Sequence, residues 1–169
     1  MPRFCVFTDT DVVGVELGGA LKNIMAIGAG MADGLGYGDN AKAAFITRGL
    51  AELTQLSVAM GANPLTLSGI AGLGDVVATC SSPLSRNRYV GLELAKGRSI
   101  DEITASMPHV AEGITTVLAA QHMMREMRVE MPVTTLISRV IFNGLPAGEA
   151  VAELMGRPME RQPVVTING

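Results

Sequence analysis

Apolar residues run with few breaks from near Asp11 to near Met31, and between Val12 and Ala32 only Glu16 and Lys22 carry charge. Read at helical spacing, Gly14, Gly18, Lys22, Ala26 and Gly30 fall on one inclined row, while Leu17, Leu21, Ile24, Ile27 and Met31 supply bulk elsewhere around the cylinder. The pattern predicts a long helix buried nearly all round, with a single long cation on a row of small residues. Glycine in a helix interior costs about 0.5 to 1 kcal/mol relative to alanine, so its repetition on one row demands close approach of either another backbone or a ligand. Two readings follow: a packing seam from which Lys22 reaches outward, or a functional lysine. A membrane span is rejected, since Lys22 would lie at mid-bilayer and basic anchors at the ends are lacking.

Further elements follow from caps and breaks. Gly34 to Gly38 reads as a turn, and Asp39 or Asn40 caps a helix to about Met60 with Ala43, Ile46, Thr47, Leu50, Leu53 and Val58 on its buried side. Pro64 to Leu67 makes at most a short helical turn before a Gly-rich loop from Gly69 to Asp75. Ser85 caps a helix through Lys96 that Gly97 stops, and Ser99 or Ile100 opens a short helix with Asp101 and Glu102 in its first turn. Helices are predicted over Ile114 to about Arg128, Val133 to Phe142 and Ala147 to Met155, separated at Pro132, Gly144 and Pro146. Phe4 to Thr8 reads as a short strand belonging to a sheet outside the chain, Val164 to Ile167 is the other β-like run, and the tail from Arg157 reads as loose. The expectation is a single all-α, multi-helix domain over residues 1–169.

Composition agrees: the 169 residues are 48% hydrophobic and 4% aromatic, with 11 Met, 20 Gly and no Trp, which suits helices packed closely through small residues with Met filling gaps. Thirteen basic against sixteen acidic residues, interspersed, make nucleic acid an unsuitable partner. Cys5 and Cys80 are too few for a disulfide framework, and with only His109 and His122 to help there is no metal-ligand spacing. No signal peptide opens the chain, and a reducing, cytoplasmic home fits.

Three stretches could carry chemistry. Gly72-Leu73-Gly74-Asp75 puts a carboxylate after flexible residues, with Thr79 on the same side of any helix begun there; Asp75 either orients a lysine or hydroxyl, or simply caps the helix. Ser85-Arg86-Asn87-Arg88 opens a helix where free N–H groups favour an anion and Arg86 offers a fork suited to phosphate, against ordinary capping with solvated arginines. Glu112 before Gly113 reads either as a helix cap or as a ribose contact. Gly28-Ala29-Gly30 is not a dinucleotide fingerprint, because Asp33 follows where glycine is needed and the segment ends a helix instead of joining strand to helix.

Taken together, Thr10 to Asn23, Gly38-Asp39-Asn40, Ala43-Ala44, Ile46 to Glu52, Ala71 to Asp75, Thr79-Cys80, Ser85-Arg86-Asn87 and Glu112-Gly113 resemble, in order, the C-terminal substrate domain of bacterial-type NAD(P)-dependent glycerol-3-phosphate dehydrogenases. The resemblance covers nearly the whole chain. It implies the helical fold shared with the C-terminal domain of 6-phosphogluconate dehydrogenase, and interconversion of sn-glycerol 3-phosphate and dihydroxyacetone phosphate in the supply of glycerophospholipid precursors. Lys22 would be the catalytic proton acceptor, and Lys22, Asp75, Ser85, Arg86 and Asn87 would bind the substrate, with Thr79 beside them. Arg86, Val110 and Glu112 would touch the cofactor, NAD or NADP, held mainly by an N-terminal Rossmann domain of the same parent chain. That domain, with its glycine fingerprint and a second substrate lysine, has no counterpart here, so the chain looks like an excised half with residues 1–10 a remnant of the connection. Alone it is expected to fold, to be inactive and, through apolar surface meant for the other domain, to self-associate as a homo-oligomer. The alternative is a free-standing helical dimerisation or regulatory module without catalysis.

Overall fold

Helix α1, Val12–Gly34, is the axis on which most of the other helices pack in the computed structural model, which describes residues 4–156. Asp11 starts it: its carboxylate accepts the Gly14 N–H at 2.9 Å and the Asn63 N–H at 2.8 Å, tying the helix to the turn before α3. Those hydrogen bonds, the one from Gly14 first, hold the Asp11 carboxyl below its usual range. The order along the chain is α2 (Asp39–Ala59), α3 (Pro64–Ser68), a π-helical turn (Ile70–Gly74), α4 (Asp75–Ser81), α5 (Arg86–Ala95), α6 (Ile100–Ala105), α7 (Glu112–Met127), α8 (Pro132–Asn143) and α9 (Ala147–Gly156). Among the described residues no strand forms, and the all-helical expectation holds.

The core centres on Leu21, Ile24, Met25 and Ile27 of α1, joined by Leu53, Leu56, Val76, Val90, Ile103 and Val117 from five neighbours. Small residues let the backbones close. A Cβ on Gly30 would stand 2.0 Å from the Arg88 carbonyl oxygen, and one on Gly91 would stand 1.9 Å from that of Ile27, so α1 and α5 cross backbone to backbone. Further up, a Cβ on Gly18 would meet the Ala71 carbonyl oxygen at 2.5 Å. The small-residue row is therefore a packing seam at Gly18 and Gly30, while Lys22 between them stays partly open.

Three expectations are corrected. Phe4 to Thr8 is irregular and exposed, not a strand; a strand requires a partner for its backbone groups, and none of the described residues provides one. The stretch from Gly69 to Asp75 is wound, not a loop: Gly72 packs against Leu67, where a Cβ would lie 2.0 Å from the carbonyl oxygen, and the Gly74 N–H reaches the Gly69 carbonyl at 3.1 Å. Helix α1 is not buried all round. Asn23 to Ala32 are all buried, but Val12, Val13, Val15 and Glu16 are exposed. By length and apolarity α1 could cross a membrane; its second half is instead enclosed by protein. Val164 to Ile167 and the tail from Arg157 lie outside the described residues.

Three boundaries differ from expectation: Gly38, with no side chain to cap, precedes α2 in place of Asp39 or Asn40, α7 starts at Glu112 and not Ile114, and Pro132 opens α8, where its missing N–H costs nothing; the caps that follow sit as expected. Ser85 accepts the Arg88 N–H at 3.2 Å, Ser99 and Glu102 form a reciprocal capping box at α6, and Gly97 and Gly144 take positive φ of 84° and 68° at helix ends. One cap bridges distant segments. Glu52, 5% exposed in α2, accepts the Val133 N–H at 2.6 Å and the Thr134 N–H at 3.2 Å at the start of α8. Burial pushes this carboxyl up to about 7, against the lowering pull of those N–H groups and of the Arg48 charge.

Candidate functional site

Where the first half of α1 leaves the core, its exposed side borders a polar cavity of about 500 Å³ lined by Lys22, Asn23, Thr79, Ser85, Asn87 and Glu112, with Arg86 at the same wall. Two helix starts meet there, α5 at Arg86 and α7 at Glu112, so two positive helix ends face one space, while α4 contributes Ala78 and Thr79 from its later turn.

Lys22 projects from α1 into an ion pair with Asp75 Oδ2, and the Thr79 hydroxyl donates to Asp75 Oδ1 at 3.4 Å. Asp75 does not cap α4; it occupies the first turn and reaches across to α1. Of its two sequence readings, orientation of a lysine is the observed one. The pair is half-open, with side-chain exposures of 23% for Lys22 and 37% for Asp75, so the amine is fixed yet accessible from the cavity.

The α5 wall holds two adjacent residues with different tasks. Arg86 is solvent-facing, and its guanidinium lies 3.7 Å from Glu112 at the start of α7. Asn87 is buried: its Oδ1 accepts the Gly113 N–H at 2.8 Å and its Nδ2 donates to Asn23 Oδ1 at 2.9 Å. Glu112 is the first residue of α7, and the capping position belongs to Ala111, which makes no side-chain cap.

The structure thus brings together Lys22, Asp75, Thr79, Ser85, Arg86, Asn87 and Glu112, seven of the eight residues singled out from the sequence. Val110 is not part of the lining; it is 70% exposed in the segment before α7. Asn23 is the wall residue that the sequence reading left without a role, and its signal was its place directly after Lys22. A second groove of about 1030 Å³ continues from the cavity past Gly19 and Ala78 to Val12, Val15, Leu65 and Ile70, whose side chains are exposed.

One further cavity and one further charge cluster against α1 lack this combination. A separate cavity of about 170 Å³ between α1, α2, α8 and α9 is lined by Phe45, Leu136, Ile137 and Leu154, with Arg48 as its charged member. The Arg48 guanidinium is taken up by the Leu154 carbonyl, and apart from Tyr37 the rest of the lining is apolar. Asp33 near the end of α1 accepts from Lys42 at 2.8 Å and from Arg88 at 2.6 Å. These hydrogen bonds, together with the two charges, outweigh the opposing effect of burial and hold the Asp33 carboxyl below its usual range. That triad closes on itself and clamps α1, α2 and α5.

Comparison with known proteins finds the same architecture. The family model described as NAD-dependent glycerol-3-phosphate dehydrogenase C-terminus matches residues 11–152. A glycerol-3-phosphate dehydrogenase (NAD(P)+) of Dehalococcoides mccartyi is 59% identical over 153 residues, which are 90% of this chain and 43% of that protein. The enzyme of the same name from Chlorobium limicola is 52% identical over 159 residues, 94% of this chain and 48% of its own length. A crystal structure of glycerol-3-phosphate dehydrogenase from Coxiella burnetii superposes with a TM-score of 0.89 at 41% identity, covering 93% of this chain and 48% of that one. The chain spans about half the length of the relatives it matches.

Proposed function

The chain belongs to the family of NAD-dependent glycerol-3-phosphate dehydrogenase C-terminal domains, and on that premise we propose that it is the single substrate-binding domain, with the catalytic lysine, of an enzyme interconverting sn-glycerol 3-phosphate and dihydroxyacetone phosphate. The observation that carries the reading is the Lys22–Asp75 pair at the edge of a cavity whose opposite wall is the α5 start with Ser85, Arg86 and Asn87. An ammonium and an anion-binding helix start facing one space suit a short molecule with a phosphate at one end and a reacting oxygen at the other.

In this reading the α5 amides, Ser85 and the Arg86 fork take the phosphate, and Asn87 lines the middle of the site. Lys22 gives its proton to the substrate oxygen at C2 when the ketone is reduced and takes it back when the alcohol is oxidised. Asp75 keeps the amine aimed, and Thr79 holds the other carboxylate oxygen. The bound nicotinamide cofactor supplies or accepts the hydride at C2. The donor set fits only the edge of such a cofactor: Arg86 and Glu112 have side chains 48% and 68% exposed, Val110 lies outside the cavity lining, and among the described residues there is no strand-to-helix glycine turn for a pyrophosphate. We therefore assign the remainder of NAD or NADP to an N-terminal Rossmann domain of the parent protein. The exposed apolar groove at Val12, Val15, Leu65 and Ile70 is the face we assign to that domain, or to self-association in its absence.

The direct test is a steady-state assay of the full-length parent with dihydroxyacetone phosphate and each reduced cofactor. Saturable oxidation of NADH or NADPH that depends on the phosphate group is expected. Turnover that is equal with dihydroxyacetone, or absent with both cofactors, would contradict the reading.

A further inference from the structure

The orientation of the Asn87 carboxamide is settled by a neighbour that can only donate. The Gly113 backbone N–H has no acceptor capacity, so the Asn87 group it meets at 2.8 Å is the oxygen. The Asn87 nitrogen then faces the other way, toward Asn23, and the atom it meets there at 2.9 Å is the Asn23 oxygen. With its oxygen engaged, Asn23 turns its own Nδ2 away from Asn87. Both amides are buried, at 7% and 8% exposure, and both line the cavity beside Lys22.

We propose that Gly113 is a positioning residue: its backbone N–H fixes the polarity of Asn87 and, through it, of Asn23, so that this wall offers N–H donors to an anionic, oxygen-rich ligand. Gly113 is the second residue of α7, so its N–H has no acceptor within the helix and is available for the task. Its lack of a side chain serves the same end. A Cβ there would fall 2.8 Å from both Asn87 Oδ1 and the Asn23 carbonyl oxygen and 2.9 Å from Ile27 Cδ1, which would push α7 off the pair. The proposal rests on the reading of the cavity as the phosphate-substrate site. It adds the residue, outside the binding contacts themselves, that makes two neutral side chains act as donors.

The test uses nitrogen-resolved NMR of the 169-residue chain, following the side-chain amides of Asn23 and Asn87 while glycerol 3-phosphate is titrated. In the wild type both amides should be slow to exchange their hydrogens and should shift on titration. In Gly113→Ala both should lose protection, and affinity should fall about tenfold to a hundredfold, the worth of one or two misdirected hydrogen bonds to a charged group. A folded Gly113→Ala chain with wild-type amide signals and affinity overturns the proposal. Should that variant not fold, Asn87→Asp decides. It keeps an acceptor for Gly113 but sets an oxygen against Asn23 Oδ1, so the Asn23 amide must turn and its signal move; an unmoved Asn23 signal overturns the relay. If the amides respond to substitution as expected but the wild-type chain ignores glycerol 3-phosphate, the relay is upheld and the assignment of the ligand is what fails.

Discussion

The two halves of α1 are built from the same kinds of residue and end up doing different work. From Asn23 to Ala32 every position is buried, Gly30 is pressed against the α5 backbone, and the one nearby carboxylate, Asp33, is closed off by Lys42 and Arg88. From Val12 to Lys22 only Gly14, Gly18 and Leu21 are buried, and the lysine is held by an acid that leaves it open to a cavity. Small residues serve helix packing in both. What separates the halves is whether the polar group at the seam is sealed by its partners or merely aimed by them.

Placing a methyl group on each half should expose this difference most strongly. Gly30→Ala puts a Cβ 2.0 Å from the Arg88 carbonyl oxygen, where neither backbone can yield without opening the α1–α5 crossing. Urea denaturation should show a loss of about 3 kcal/mol or more, or no folded protein. Gly19→Ala is the counterpart: nothing lies within 4 Å of its Cβ, so stability should hold or rise by up to about 1 kcal/mol. Equal losses at the two sites would erase the distinction.

The sealed side also carries a pH signature. Glu52 has its carboxyl raised from 4.5 to about 7 in the fold, so between these values the folded chain binds more protons than the unfolded one. Its contribution is fully present below pH 4.5 and is lost as pH rises through about 7, a change of roughly 3 kcal/mol at 1.36 kcal/mol per unit. Comparing the denaturation free energy of wild type and Glu52→Gln at pH 5 and pH 8 should show the variant gaining on the wild type at the higher pH. A constant difference between them would place the charge on Glu52 throughout.

On the open side, Arg86→Leu in the full-length parent should raise the Michaelis constant for the phosphate substrate about tenfold or more, the usual worth of a charge-assisted fork, with little change in melting temperature. Arg86 is exposed and its contact to Glu112 is a surface pair, so stability has little to lose. Unchanged kinetics would move the phosphate elsewhere.

Much of this was legible because helix boundaries are written locally. Ser85, the Ser99 and Glu102 box, Gly97 and Gly144 each act within a few residues, and each sits where the spacing predicts. What was hidden depends on distance. Asp75 could be read as a cap or as a lysine partner until its contact with Lys22, 53 positions away, was seen. The Glu52 cap on α8 spans 81 positions and has no local motif, and in the π-helical turn at Ile70–Gly74 Gly72 sits close against Leu67, a contact that the local sequence does not announce. The strand expected at Phe4 to Thr8 shows the converse, since β-branched and aromatic residues do not make a strand without a partner.

The central claim is that Lys22 moves the proton and is not merely the charged rung of a packing seam. Lys22→Met in the full-length parent keeps most of the stem's volume and removes the amine, so circular dichroism and melting temperature should stay near wild type. Turnover with dihydroxyacetone phosphate should fall by about a hundredfold to ten-thousandfold, the range of general acid–base assistance. A folded Lys22→Met enzyme that turns over at the wild-type rate across the pH range would contradict the account and leave the small-residue row of α1 as a seam alone.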